Sequence, residues 1–247
     1  MYNLVIDIGN TSIKVAIYKG EEFVLMQVME DWDEKEFNSI TKGYFIKNVL
    51  ISDVRYQQKP YLPFLAEKFT CFFADNDLKM PLINRYKTPE TLGFDRLAQC
   101  VGARKYYATG NLLVISCGTC ITYNFVNDQN EFIGGGISPG VDVRFKSLHD
   151  HTGNLPLIEI KESFDVFELV GRNTEESIVS GVLHGIRAEI DGIIDSYQEN
   201  YDKLTCIITG GNWSYFAYSL KNKIFAHPNL VLFGLNSILL YNATEKN

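Results

Sequence analysis

Near the start of the chain, Asp7-Ile8-Gly9-Asn10-Thr11-Ser12-Ile13-Lys14 combines a carboxylate, a glycine turn and a hydroxyl within eight residues. Asp7 closes an apolar run, and Gly9, which has no Cβ, lets the backbone approach a bulky anion. Turn N–H groups and the Thr11 hydroxyl suit phosphate oxygens. A carboxylate at a strand end can hold Mg²⁺, directly or through water, beside a transferring phosphate. An ordinary hairpin with a turn-favouring Asn10 accounts for this segment alone equally well. Gly118-Thr119 offers a second turn of the same kind, expected to clasp the phosphates from another domain. Gly210-Gly211 is a third glycine site, against which the adenosine of ATP can lie on bare backbone; a helix start capped by Asn212 or Ser214 also fits it. The loops G-x-x-x-x-G-K-[ST] and G-x-G-x-x-G and the pair H-E-x-x-H do not occur.

These residues need elements to position them, and the sequence repeats one such element. Leu4 to Ile8 runs into the Gly9 turn and then a second strand from Ile13 to Tyr18. Leu113 to Cys117 runs into the Gly118 turn and then a strand from Ile121 to Val126. A strand, a glycine-centred turn and a strand is a hairpin, and its recurrence predicts two related domains facing each other across a cleft. Strands and helices alternate elsewhere, as in α/β proteins. Asn48 to Ser52 reads as a strand. Pro89 suits a helix start or tight turn, and Leu97, Val101 and Arg104 continue at helical spacing. Ile178, Val182, Ile186, Ile190, Ile193 and Tyr197 predict a long helix after Thr174, with Glu175 and Glu176 at its positive end. Cys206 to Thr209 reads as a buried strand entering Gly210-Gly211. The domains are expected at residues 1–110 and 111–247, with a compact hinge between.

Hydrophobic residues make up 46% of the 247 residues and charged ones 21%, a globular composition. No run reaches the roughly twenty apolar residues of a membrane span. The opening residues lack a basic segment followed by an apolar one, so a cytoplasmic location without membrane attachment is expected. Net charge is −7 with no long basic patch, which disfavours nucleic acid as a partner. Five scattered cysteines do not form a disulfide framework. Cys117 and Cys120 have redox-motif spacing but flank a hairpin turn, where no helix N-terminus lowers a thiol pKa. His149-Asp150-His151 has no second ligand cluster beside it and reads as a polar loop.

Two phosphate hairpins and a late glycine pair resemble the superfamily of actin, the heat-shock chaperone ATPases and the sugar and acetate kinases. Within it, the chain is similar to the type III pantothenate kinases. The resemblance is carried by the Asp7 turn, Gly93-Phe94-Asp95-Arg96, Gly118-Thr119-Cys120-Ile121-Thr122, Gly135-Gly136-Ile137-Ser138-Pro139-Gly140, Leu155-Pro156, Asn173-Thr174 and Thr209-Gly210-Gly211. It implies two ribonuclease H-like (actin-like ATPase) domains and ATP-dependent phosphorylation of pantothenate, the first step of coenzyme A biosynthesis. It implies Asp95 as catalytic base, with Tyr86, Gly93, Phe94, Asp95 and Arg96 lining the pantothenate pocket. Arg96 suits the substrate carboxylate, since its planar fork binds carboxylates bidentately. Thr174, itself able to cap its helix, is implied to reach pantothenate across the interface of a homodimer. The family writes Asp where this chain has Ser116, and that Asp helps bind a monovalent cation, potassium or ammonium. Asn124 and Asn212 also stand where acidic residues are common. Up to three negative charges are therefore missing, and weaker cation binding is expected. A kinase for another small alcohol, or a nucleotide-binding regulator without turnover, would share the phosphate turns; only the substrate-side segments separate them.

Overall fold

A computed structural model describes residues 1–55, 59–75, 77–159 and 168–243. The chain forms two compact units, Met1–Tyr106 with Asn130–Phe132 and Leu230–Asn247, and Tyr107–Gln129 with Ile133–Asn229.

The first unit opens with β1 (Tyr2–Ile8), β2 (Ile13–Lys19) and β3 (Glu22–Met29), an antiparallel meander of apolar strands. Helix α1 (Glu34–Thr41) follows, capped by Asp33, whose carboxylate accepts the Glu36 N–H at 2.8 Å. The strand β4 (Ile46–Asp53) then lies parallel to β1, and after α2 (Leu62–Lys68) β5 (Thr70–Phe73) lies parallel to β4. The sheet order is β3-β2-β1-β4-β5. β1 is central and buried on both faces, so its side chains from Leu4 to Ile6 are apolar whichever way they point. The short β6 (Ile83–Asn84), a single 3-10 turn at Pro89–Thr91 and α3 (Phe94–Tyr106) complete this stretch.

The second unit repeats the plan. β7 (Asn111–Cys117) and β8 (Cys120–Val126) form a hairpin, β9 (Glu131–Pro139) leads into α4 (Val141–Asp150), and α5 (Thr174–Asn200) precedes β10 (Leu204–Thr209). After the one-turn α6 (Ser214–Ala217), β11 (Phe225–Ala226) joins the edge. These strands lie in the order β11-β10-β7-β8-β9, with β10 parallel to β7, which matches the first sheet strand for strand. The register agrees as well. Asp7 pairs with Lys14 one step before the last pair of its hairpin, and Ser116 pairs with Thr122 one step before the last pair of the other. The first two residues of β9 belong to the first unit, where Glu131 and Phe132 pair with Ile83 and Asn84.

The chain then returns to the first unit with α7 (Leu230–Ala243), whose buried residues include Leu232, Leu235, Ile238 and Leu239. It packs on α3 backbone to backbone. A Cβ on Gly102 would sit 2.5 Å from the Leu230 carbonyl oxygen, and one on Gly234 would sit 1.7 Å from that of Ala98. Any side chain at either position forces the helices apart.

Candidate active site

The β1–β2 turn is closed by a hydrogen bond from the Gly9 N–H to the Ser12 carbonyl at 3.0 Å. Asn10 and Thr11 are exposed at its tip, and among the described residues their amides meet no backbone acceptor. Such N–H groups are donors available to an anion. Asp7 lies just behind them, at the carboxyl end of the central strand, where α/β folds collect ligands. Burial pushes its pKa up to about 6; the Lys14 ammonium opposes the rise and the charge of Asp95 adds to it. The charge of Asp95 thus reaches Asp7, although 88 positions separate them in sequence.

Asp95 stands in the first turn of α3. Its pKa is raised, chiefly by burial, while the Arg96 N–H and guanidinium hold it back. Gly93 makes room for it, since a Cβ there would come within 2.6 Å of the Asp95 carboxylate. The physical demand behind Gly-x-Asp-Arg is therefore visible: the glycine clears space for the carboxylate, and the helix start and arginine oppose the rise in pKa that burial causes. Phe94 is half-buried beside it. Arg96 is 5% exposed, with its guanidinium carbon 5.7 Å from the Tyr86 ring centroid and 5.8 Å from that of Phe132. Both distances are within cation–π reach. Tyr86 and Arg96 are thus together. Phe132 was not marked by the sequence, because only the pairing of Asn84 with Phe132 carries it there.

In the second unit, the Gly118 N–H donates to the Cys120 carbonyl at 3.0 Å, leaving Thr119 exposed at the turn. Gly210 has φ of +94°, and a Cβ there would lie 2.3 Å from the Cys117 carbonyl oxygen, which also accepts the Asn212 N–H at 2.9 Å. Gly118, Thr119, Gly210 and Gly211 therefore form one constellation around the end of β7. Ser116 is 9% exposed at that strand end, and Asn124 is fully buried with its amide donating to Thr122 Oγ1 at 3.1 Å. From behind, the Gly140 N–H donates to the Thr119 carbonyl at 3.0 Å. Arg144 secures that approach: its Nε donates to the Pro139 carbonyl at 2.9 Å and its Nη2 to Ser138 Oγ at 2.9 Å, while it pairs with Glu189. Burial would raise Glu189, but hydrogen bonds from Arg144, Tyr123 and Ser138 outweigh it and hold the carboxyl below its usual range.

Thr174 lines a groove of about 990 Å³ together with residues including Pro139, Arg144, Leu148, Arg172 and Ile178. It does not cap its helix. Asn173 does, accepting the Glu176 N–H at 2.9 Å. Cys117 is buried, and burial pushes its thiol up to about 12, which leaves no thiolate for redox chemistry near neutrality. His149 Nδ1 lies 2.8 Å from the Leu155 carbonyl, a local contact.

The sequence model of the family described as type III pantothenate kinase matches residues 3–196. A type III pantothenate kinase of Christiangramia forsetii is 40% identical, covering 98% of this chain and all of the relative. That of Flavobacterium johnsoniae is 36% identical, covering 96% of this chain and 97% of the relative. Among solved structures, a conserved Campylobacter jejuni protein assigned to the Baf family of transcriptional activators superposes with a TM-score of 0.61 at 20% identity, covering 98% of this chain and 99% of that one. At that identity the likeness concerns the fold, an actin-like ATPase arrangement of two related α/β units. The duplicated hairpins, the Asp7 and Asp95 carboxylates and the end-to-end likeness to its relatives have one explanation: the chain belongs to the type III pantothenate kinase family.

Proposed function

We propose that the chain transfers the γ-phosphoryl group of ATP to the primary alcohol of pantothenate, giving 4′-phosphopantothenate and ADP, the first step of coenzyme A biosynthesis. The observation that carries this reading is that the charge of Asp95, at the start of α3, reaches the Asp7 carboxyl behind the exposed turn amides. Phosphoryl transfer needs positioned phosphates and a base for the attacking hydroxyl, and the two carboxylates divide those tasks. Asp95 takes the hydroxyl proton as the oxygen attacks phosphorus and ADP departs. The span Asp7 to Lys14 cradles phosphates, and Gly118, Thr119, Gly210 and Gly211 bind the rest of the nucleotide. Tyr86, Gly93, Phe94 and Arg96 receive pantothenate.

Two neighbouring carboxylates, one with its pKa near 6, fit a hard divalent cation, and Asp7 would hold Mg²⁺. When bound, the ion neutralises charge on the phosphates. The protein would act as a cytoplasmic homodimer, without nucleic acid or membrane. Among the described residues no helix is long and apolar enough to cross a bilayer. Leu169 and Val170 are 70% and 69% exposed just before the Thr174 helix, apolar surface that a second copy would cover.

A coupled assay of ADP release decides between kinase and regulator. ADP should form only when pantothenate and Mg²⁺ are both present, with sugars inactive as acceptors, and light scattering of the active preparation should give two chains. No pantothenate-dependent ADP at any cation composition would exclude the kinase reading. Turnover by a lone chain would exclude the dimer.

Ser116 carries a separate prediction. It holds in β7 the register position of Asp7 in β1, but offers a hydroxyl dipole in place of a full charge. Potassium or ammonium should therefore activate weakly, and Ser116→Asp should move activation to lower potassium concentration. Superimposable potassium titrations for the two proteins would mean that this position has no part in a cation site.

A further inference from the structure

Arg55, two residues beyond the end of β4, lies outside every segment that carries the family resemblance, yet it reaches the phosphate turn. Its Nε donates to the Gly9 carbonyl at 2.8 Å and its Nη1 to the Glu30 carbonyl at 2.9 Å, and Nη1 lies 3.7 Å from the Asp31 carboxylate. One guanidinium thus ties the β1–β2 turn to the chain leaving β3. The arginine is itself fixed. Asp53 Oδ1 accepts the Arg55 N–H at 2.8 Å, and Asp53 Oδ2 accepts the hydroxyl of the buried Tyr61 at 2.6 Å. The Val54 N–H, between them, donates to the Ile8 carbonyl at 3.0 Å.

We propose that Arg55 is a positioning residue for ATP, acting through the peptide that joins Gly9 to Asn10; this rests on the turn being the phosphate cradle. Among the described residues there are no cis peptide bonds, so the carbonyl and N–H of that peptide point in opposite directions. Holding the Gly9 carbonyl on the guanidinium turns the Asn10 N–H away from Arg55, toward the open side of the turn. A glycine peptide would otherwise rotate easily, because no Cβ restrains it. Arg55 therefore pre-orients a backbone donor, and such donors act most strongly on an anion when no reorganisation is needed at the moment of reaction. A lysine could not replace it. An ammonium on a flexible stem has no planar fork to hold two carbonyls in fixed relation.

The test is steady-state kinetics with ATP and pantothenate varied separately, together with ADP titration of the free protein. Arg55→Gln should lower kcat/KM for ATP by about ten- to a hundredfold and weaken ADP binding, with KM for pantothenate changed by less than about twofold. Arg55→Lys should recover only part of the loss. Equal losses toward both substrates, unchanged ATP kinetics in a less stable protein, or full recovery by Arg55→Lys would each overturn the proposal. If Arg55→Gln does not fold, the same split measured on Arg55→Lys decides. Thr11→Ala separates the two levels. If it too leaves ATP kinetics untouched, the reading of the turn fails. If it impairs ATP use while Arg55→Gln does not, only the role of Arg55 fails.

Discussion

Asp7→Asn should make the free protein more stable while turnover falls by about a thousandfold. The two effects share one cause. Folding places the Asp7 carboxyl where burial and Asp95 raise its pKa from 3.8 to about 6, so ionising it in the folded protein opposes stability. That gap corresponds to at most about 3 kcal/mol, an upper bound because an asparagine amide is desolvated there too. A raised folded pKa gives stability that is fully present below pH 4 and lost as pH rises through 6. The melting temperatures of wild type and Asp7→Asn should therefore converge near pH 4 and separate by several degrees near pH 7. Mg²⁺ with ATP should stabilise wild type and not the variant, because ligands stabilise only the state that binds them. Equal melting temperatures across the range would mean that Asp7 carries no such strain. Normal turnover in the variant would remove Asp7 from the site.

Asp95→Asn should lower turnover by roughly a hundredfold or more with ADP binding little changed, since it removes the proton acceptor and keeps the shape. The amide oxygen can still accept the Arg96 N–H at the start of α3, so the fold should survive. Burial raises the pKa of Asp95, which places the acid limb of kcat/KM for pantothenate above the usual carboxylate range. In Asp95→Asn the residual activity should lose the part of that limb due to Asp95 and keep the part near pH 6 due to Asp7. Near-normal turnover, or an unchanged acid limb, would mean that another group takes the proton.

The hairpins were legible in the sequence because each is a buried strand stopped by a glycine turn, and the structure gives both the same register. The long helix was legible from its apolar spacing. Its cap was legible too, but in the pair rather than in Thr174. Asn173 is followed three residues later by Glu176, whose carboxylate accepts the Arg172 N–H at 2.7 Å and the Asn173 side-chain amide at 2.8 Å. Had Thr174 been the cap, Ser177 would have stood in that place, too short to reach back. What the sequence did not reveal depends on pairing between distant segments. Phe132 joins Tyr86 and Arg96 through a two-residue parallel bridge. Arg55 reaches Gly9 because β4 lies beside β1. α7 is apolar on every side, so periodicity could not say which surface it meets.

That last helix sets the order in which the protein can be finished on the ribosome. The first unit is begun with residue 1 and stays without the α7 partner of α3 until residue 243 has been made. At ordinary synthesis rates of about 5–20 residues per second, the 137 residues between Tyr106 and Ala243 take about 7–27 s. For that time the faces of β1, β4 and α3 that α7 covers remain bare on a nascent chain. The unit that is begun first is thus completed last, and a chain cut short just before Leu230 would carry the whole span of the second unit yet leave the first without its closing helix.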